Sequence, residues 1–341
     1  MEQIRQRIEY IDIAKGFCIL LVVFAHVHPA TTDYGIGVFF DSFRMPLYFF
    51  LSGLFFKTYT GIGEFTIKKV NNLIIPLLFF YALAYLYDAA SWGIYTLTAQ
   101  DTGLYERHSW WPFWEIIRRG TTYHNSPLWF LTSLFEVNLL YYIIYIATKK
   151  TWARDIAMIA IAAGGWFLAK HNIVLPYFLG TTLVALPFFH IGCRLRNARI
   201  LEYTARDKYC YIALLPAAIL VWLWAEPIRL HELMLPRSFL TFYFCGIAGT
   251  LIILYMSKAI GRLSPIAFFG RYSLIVFGTH WCIIHSYGDI VYRLLPEGNV
   301  AYLIVFTLSI ATEIPIIYLL RRYAPRFTAQ RACIPTTLFK R

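Results

Sequence analysis

The sequence predicts an all-α integral membrane protein with about ten transmembrane helices and both termini on the cytoplasmic side. Three observations point there. Hydrophobic residues make up 59% of the 341 and charged residues only 15%, against about 45–50% and about 25% in soluble domains. A soluble fold could not hide that much apolar surface, whereas a bilayer solvates it. The apolar residues also come in stretches of spanning length, roughly 20 residues each. Finally, lysine and arginine gather in alternate connections, as the positive-inside rule requires.

The spans are expected near 11–30, 43–60, 70–95, 126–147, 152–170, 173–193, 209–226, 237–257, 265–286 and 300–320. The first follows Arg5 and Arg7, as a cleaved signal would. However, Asp12 and Lys15 interrupt its start and no A-x-A site follows Val27, so it reads as a retained helix. In the second, Pro46 is expected near the helix start, where proline is tolerated, and Ser52-Gly53 permits close helix contact. The fifth is the shortest apolar stretch, Ile156 to Ala169, and it holds Gly164 and Gly165. The remaining spans meet the length rule directly. With the N-terminus inside, the outer side keeps Arg44, Arg107, Arg118, Arg119, Lys170, Arg229, Arg237 and Arg293. All other Lys and Arg fall on cytoplasmic ends and loops. The expected organisation is one membrane domain over residues 1–341. Its longest outer loop, Thr96 to Ser126, is rich in Trp, Tyr and His, including His108 and His124.

The net charge of +12 reads as membrane orientation rather than nucleic-acid binding, because the cations lie between apolar runs and not on a soluble basic face. The cysteines, Cys18, Cys193, Cys210, Cys245, Cys282 and Cys333, form no CxxC pair. They predict neither a zinc site nor a disulfide framework, and apolar packing is their expected role.

Ionisable groups inside a membrane are costly and face the bundle interior, which makes each a candidate for function. The first span holds Asp12, Lys15 and His26. Asp12 and Lys15, three apart, are neighbours on one face. Lys15 and His26, eleven apart, share a face about 16 Å apart along the axis. That layout suits an anionic, long-armed donor: the cation neutralises phosphate at the cytoplasmic mouth and the imidazole meets the reactive end deeper in. The plain structural alternative is a hydrogen-bonded histidine and a lysine snorkelling to the headgroups. Glu136, His190 and Glu313, also within spans, read as interhelical hydrogen-bonding groups, and His28 as an interfacial neighbour. Arg44, at the expected outer mouth beside Met45-Pro46, is a candidate for acceptor contacts.

A resemblance sharpens this reading. Asp12-x-x-Lys15-Gly16 with His26, followed by Met45-Pro46-Leu47-Tyr48-Phe49-Phe50-Leu51-Ser52-Gly53, resembles the acyltransferase 3 family of bacterial membrane O-acyltransferases. Further elements similar to that family follow in order: Lys68-Lys69 before Leu73-Ile74-Ile75-Pro76, Leu128-Trp129-Phe130-Leu131, Leu186-Pro187-Phe188-Phe189 with Gly192, and Gly270-Arg271-Tyr272-Ser273-Leu274 through His280.

The resemblance implies transfer of an acetyl or larger acyl group from cytoplasmic acyl-CoA, with no metal, to a hydroxyl of a cell-envelope sugar or polysaccharide, possible lipid-linked intermediates included. The setting is the bacterial cytoplasmic (inner) membrane. It marks Lys15 and His26 as the essential pair, with Asp12 beside them. Lys15 stands where the larger branch has Arg, a point charge in place of a bidentate fork. Lys15, Lys68, Lys69 and Asn72 are the expected donor contacts; Arg44, Trp129 and His280 are those of the acceptor. Positions 71 and 72, often basic in the family, are asparagines here. His26 would act either as general base or as acyl carrier. Two other readings stand beside this one: a transporter or flippase for a lipid-linked or small polar substrate, and an inactive receptor or scaffold. No inverted repeat supports transport, and the intact Lys15–His26 pair speaks against inactivity.

Overall fold

The computed structural model describes residues 8–27, 35–98, 110–118, 120, 122–198, 200–205 and 207–335. Thirteen α-helices run through them: α1 Glu9–Val27, α2 Ile36–Leu54, α3 Ile62–Lys69, α4 Ile75–Leu97, α5 Trp110–Arg118, α6 Trp129–Ala147, α7 Thr151–Lys170, α8 Leu179–Asn197, α9 Asp207–Trp224, α10 Phe239–Ile260, α11 Ser264–Arg271, α12 Ser273–Leu294 and α13 Asn299–Tyr323. No strand occurs among the described residues. Among the described residues, seven helical segments are long and apolar enough to cross a membrane, or eight if the broken pair α11 and α12 forms one span. Two more helices of 19 residues, α2 and α8, coincide with expected spans but do not meet that apolar criterion. Arg5, Arg7, His28, His108 and residues 99–109 of the expected outer loop lie outside the described residues.

Several boundaries differ from the sequence reading. The second helix starts at Ile36 rather than near residue 43, which moves Pro46 from the expected helix start to the helix interior. The run extends because Asp41 and Arg44, one turn apart, neutralise each other in an ion pair. The basic Lys68-Lys69 pair, expected in a loop, forms the last turn of α3. Helix continues through it into α4 by a π-helical stretch, Val70–Ile74, where the Ile75 N–H bonds Val70 O, five residues back. Pro76, which brings no N–H, sits at the start of α4. The sixth span begins at Leu179, not 173, and the ninth is broken at Tyr272.

The chain divides into two compact units. The first comprises Met1–Phe56, Phe188–Arg229 and Met234–Ser273; the second Lys57–Pro187, Leu230–Leu233 and Leu274–Arg341. In the first unit, α1 is the enclosed element: none of its described residues is exposed. Small residues make that enclosure possible, because they let backbones approach. A Cβ on Gly16 would meet the Ile266 carbonyl of α11, and one on Gly270 the Asp12 carbonyl of α1. The same device seats α2 against the latter half of α8, where Gly53 faces Phe189 O and Gly192 faces Phe50 O. Apolar side chains of α1, α2, α9 and α10 fill the core between, among them Cys18, Phe43, Phe50, Val221 and Ile253.

Lys258 closes the cytoplasmic-facing end of that unit in the expected topology. It is 2% exposed. Its Nζ binds Asp207 Oδ2 at 2.7 Å and donates to Glu202 O and Ile200 O. The loop between α8 and α9 is thereby tied to α10, and Tyr10 OH adds a 2.8 Å bond to Leu201 O.

The second unit is laced by polar contacts between helices. Thr182 of α8 donates to Glu136 Oε2 of α6 at 2.7 Å and pairs with Ser133 at 2.9 Å. Thr279 of α12 lies 2.9 Å from both carboxyl oxygens of Glu313 on α13. These are the interhelical bonds expected of Glu136 and Glu313.

Candidate active site

In the first unit, the residues expected to react lie on one enclosed helix. Asp12 is 4% exposed; Lys15 and His26 are half-buried. Their stripe follows from helical spacing, with eleven residues returning nearly to the starting direction. Helices α2, α10 and α11 pack against α1, and neither side chain is exposed.

Each neighbour of α1 fixes part of it. From α2, Tyr48 OH donates to Lys15 O at 3.3 Å, and Cys18 Sγ donates in turn to Arg44 O at 2.9 Å. The ammonium of Lys15 sits 5.7 Å from the centre of the Phe55 ring, in range for a cation–π contact. From α11, Arg271 Nε approaches Asp12 Oδ2 at 3.9 Å. The result is a cation and an imidazole on a helix whose backbone is held from two sides. Such a group of fixed charges can bind an anion at one end and move a proton at the other.

Arg44, expected at the outer mouth, instead lies inside α2 with its guanidinium on Asp41.

The second unit holds the other expected contacts. Lys68 Nζ binds Glu64 Oε1 at 2.8 Å and lies over the Tyr59 ring at 3.7 Å. Lys69 lies 5.4 Å from the Phe65 ring. Asn72 is exposed, while Asn71 is buried. Glu64 also accepts from Thr60 N and Oγ1, which fixes the turn before α3 and presents the two ammonium groups on a rigid helix end. Trp129 opens α6, 7% exposed, stacked with His231 at 5.9 Å and beside Phe178. His280 is fully buried in α12, with Nδ1 2.9 Å from Val276 O. Asn125 Nδ2 donates to Gly278 O, linking the start of α6 to the same turn of α12.

Sequence reasoning passed over three arrangements. Arg271 stands in the sequence as a cytoplasmic cation and as part of the Gly270-to-His280 element, and its approach to Asp12 depends on Gly270 bringing α11 against α1. Asp88, which pairs with His124 Nδ1, lies inside the expected third span; the rule that flagged Asp12 and Glu313 applies equally to it. The bonds of Asn71 to Cys333 and Ile334 join segments so far apart in sequence that nothing local could have shown them. Among the described residues no group of three or more His, Cys, Asp or Glu could hold a metal ion.

No curated protein and no solved structure matches the chain. A family model does: that of an acyltransferase domain, over residues 8–321. That range runs from the residue before α1 almost to the end of α13, and so takes in Asp12, Lys15, His26, Arg44, Lys68, Lys69, Asn72, Trp129 and His280. With nearly its whole length matched, this multi-pass helical protein belongs to the acyltransferase 3 family and is a membrane acyltransferase.

Proposed function

We propose that the protein transfers an acyl group, acetyl in the first instance, from cytoplasmic acyl-CoA to a hydroxyl of a cell-envelope sugar or polysaccharide intermediate. The observation that carries this reading is the enclosure of α1, whose Lys15 and His26 share a stripe with no exposed residue along the helix. A half-buried imidazole on a helix packed among others can exchange a proton with a substrate that is partly shielded from water.

In one route His26 takes the proton of the acceptor hydroxyl as its oxygen attacks the thioester carbonyl. The carbon–sulfur bond breaks, and the thiolate of CoA receives a proton as it leaves. In the other, the imidazole nitrogen attacks first, CoA departs as the thiol, and the acceptor hydroxyl then displaces the imidazole from the acyl group. Lys15 supplies positive charge for the donor or for the developing oxyanion. Asp12, held by Arg271, orients that end of α1. Lys68 and Lys69 on the end of α3 recognise the donor's phosphates, with Asn72 as an uncharged hydrogen-bonding neighbour. Trp129 and His280 contribute to acceptor recognition. No such contact is assigned to Arg44, which Asp41 engages.

The topology proposed with this chemistry has ten spans, with α11 and α12 together forming the ninth, both termini cytoplasmic, and the bacterial inner membrane as its setting. The distribution of Lys and Arg supports it. Membership in an acyltransferase family favours chemistry over transport.

Membranes carrying the protein, given acetyl-CoA labelled in the acetyl group, should incorporate label into envelope polysaccharide, and His26→Ala should abolish it. Label bound to the protein after acetyl-CoA alone, and absent from His26→Ala, would select the carrier route. Unchanged incorporation by His26→Ala would overturn the assignment.

A further inference from the structure

In the second unit the side chain of Asn71 makes four hydrogen bonds. It is 2% exposed. Its Nδ2 donates to Ile67 O at 3.0 Å and Ile334 O at 2.9 Å, and its Oδ1 accepts from the N–H groups of Cys333 and Ile334, both at 2.8 Å. An amide has two protons to give and two lone pairs to receive with, so every one of its bonds is made. Three of the four go to a segment more than 260 residues away. Asn71 therefore cannot also bind a donor phosphate. Its work is to hold residues 324–335 in place.

That segment is an ordered strap following α13. The N–H groups of Gln330 and Arg331 both bond Pro325 O at 2.9 Å, folding it into a turn. Phe327 stacks on Phe79 of α4, centres 5.3 Å apart and planes 17° from parallel. The strap is thus fixed at two points, on α4 by Phe327 and on the π-helical stretch by Asn71. A π turn is a costly irregularity that recurs at functional sites, and this one immediately follows Lys68 and Lys69.

The clamp joins two chain segments that each carry cations. Lys69 lies two residues before Asn71, and Arg331 two residues before Cys333. Each backbone is then within about 7 Å of the clamp along its own chain. Arg331 is exposed and Lys69 half-buried, and both carry long side chains. We propose that the strap is part of the donor site, with Arg331 joining Lys68 and Lys69 in binding the phosphates of acyl-CoA and Asn71 as the positioning residue that holds it there. This rests on the acyl-CoA reading above. It also accounts for an uncharged residue at position 71: the side chain gives up phosphate contact and imports a guanidinium, which grips phosphate bidentately.

The test is binding of CoA and of 3′-dephospho-CoA to the full-length protein in lipid nanodiscs, measured by calorimetry. Arg331→Ala should weaken CoA about tenfold or more and reduce the discrimination between the two ligands, with Arg331→Lys retaining part of both. Asn71→Ala should produce the same loss. Where Asn71→Ala fails to fold, Arg331→Ala decides alone, since its exposed side chain makes no clamp bond. Wild-type affinity for both ligands in Arg331→Ala would overturn the proposal, while weaker binding in a Lys68→Ala/Lys69→Ala protein would leave the acyl-CoA reading intact. No CoA binding by the unaltered protein, or none lost in that double variant, would sink the parent reading and this one with it.

Discussion

Replacing Gly270 by alanine tests whether α1 is held as tightly as the proposed chemistry needs. A Cβ built there stands 2.6 Å from Gly16 N and 2.7 Å from the Asp12 carbonyl carbon. The Asp12 carbonyl oxygen is nearer still, and non-bonded heavy atoms settle at about 3.5–4.0 Å, so α1 and α11 must part by about 2 Å. The obstacles are backbone atoms, which no rotamer change removes. Overpacking of this kind costs about 1–3 kcal/mol, against a helix-propensity gain of at most about 1 kcal/mol for Gly→Ala. The net sign is destabilising. The control is Gly164→Ala in α7, where a Cβ meets nothing within 4 Å and the propensity gain stands unopposed. Purified in one detergent, Gly164→Ala should melt at or above the parent protein and Gly270→Ala below it. Gly16→Ala, which strikes Ile266 of α11 in the same seam, should cost less in the Gly270→Ala background than alone, since neighbouring sites that share one displacement are not additive. A Gly270→Ala protein that melts with Gly164→Ala would refute the close approach, and with it the rigid placement of Asp12 beside Arg271.

Lys258→Met should destabilise by about 3–5 kcal/mol, because Asp207 is left buried without its cation; Asp207→Asn added to it should recover much of the loss in the same melting assay, and additive losses would argue against the pair. Asn125→Ala should cost about 0.5–1.5 kcal/mol by removing its added bond to Gly278 O, which keeps its helical donor, read by melting, and an unchanged midpoint would show that the bond contributes nothing. In a cysteine-depleted protein, a cysteine replacing Lys150 should react with an impermeant maleimide only from the cytoplasmic side and one replacing Asn172 only from outside; both residues are exposed at opposite ends of α7. Labelling from the opposite sides would invert the proposed topology.

What the sequence disclosed about this fold depended on where the compensating group lay. Apolar runs solvated by the bilayer need no partner, so α6, α7 and α10 fall within a few residues of their expected bounds. Charges break that simplicity. Asp41 and Arg44 look like the end of an apolar run when each is priced alone, yet one turn apart they cancel and the helix runs through them. Lys68 and Lys69 look like a loop, but Glu64 lies one turn before Lys68 and the Phe65 ring beneath Lys69. These local pairings were available to a reading that weighed i, i+3 and i, i+4 neighbours before fixing boundaries. Lys258 with Asp207, Asp88 with His124, and Asn71 with Cys333 and Ile334 were not, since their partners are set only once helices have packed. The candidate site divides the same way. The common stripe of Lys15 and His26 is a property of one helix, and spacing alone predicts it. The close approach of α11 to α1 follows from Gly16 on α1 and Gly270 on α11, and a single sequence cannot say which backbone a glycine will meet. For the proposed chemistry that enclosure is a requirement, because the same stripe facing lipid would have neither an acceptor to deprotonate nor a preorganised field to work in.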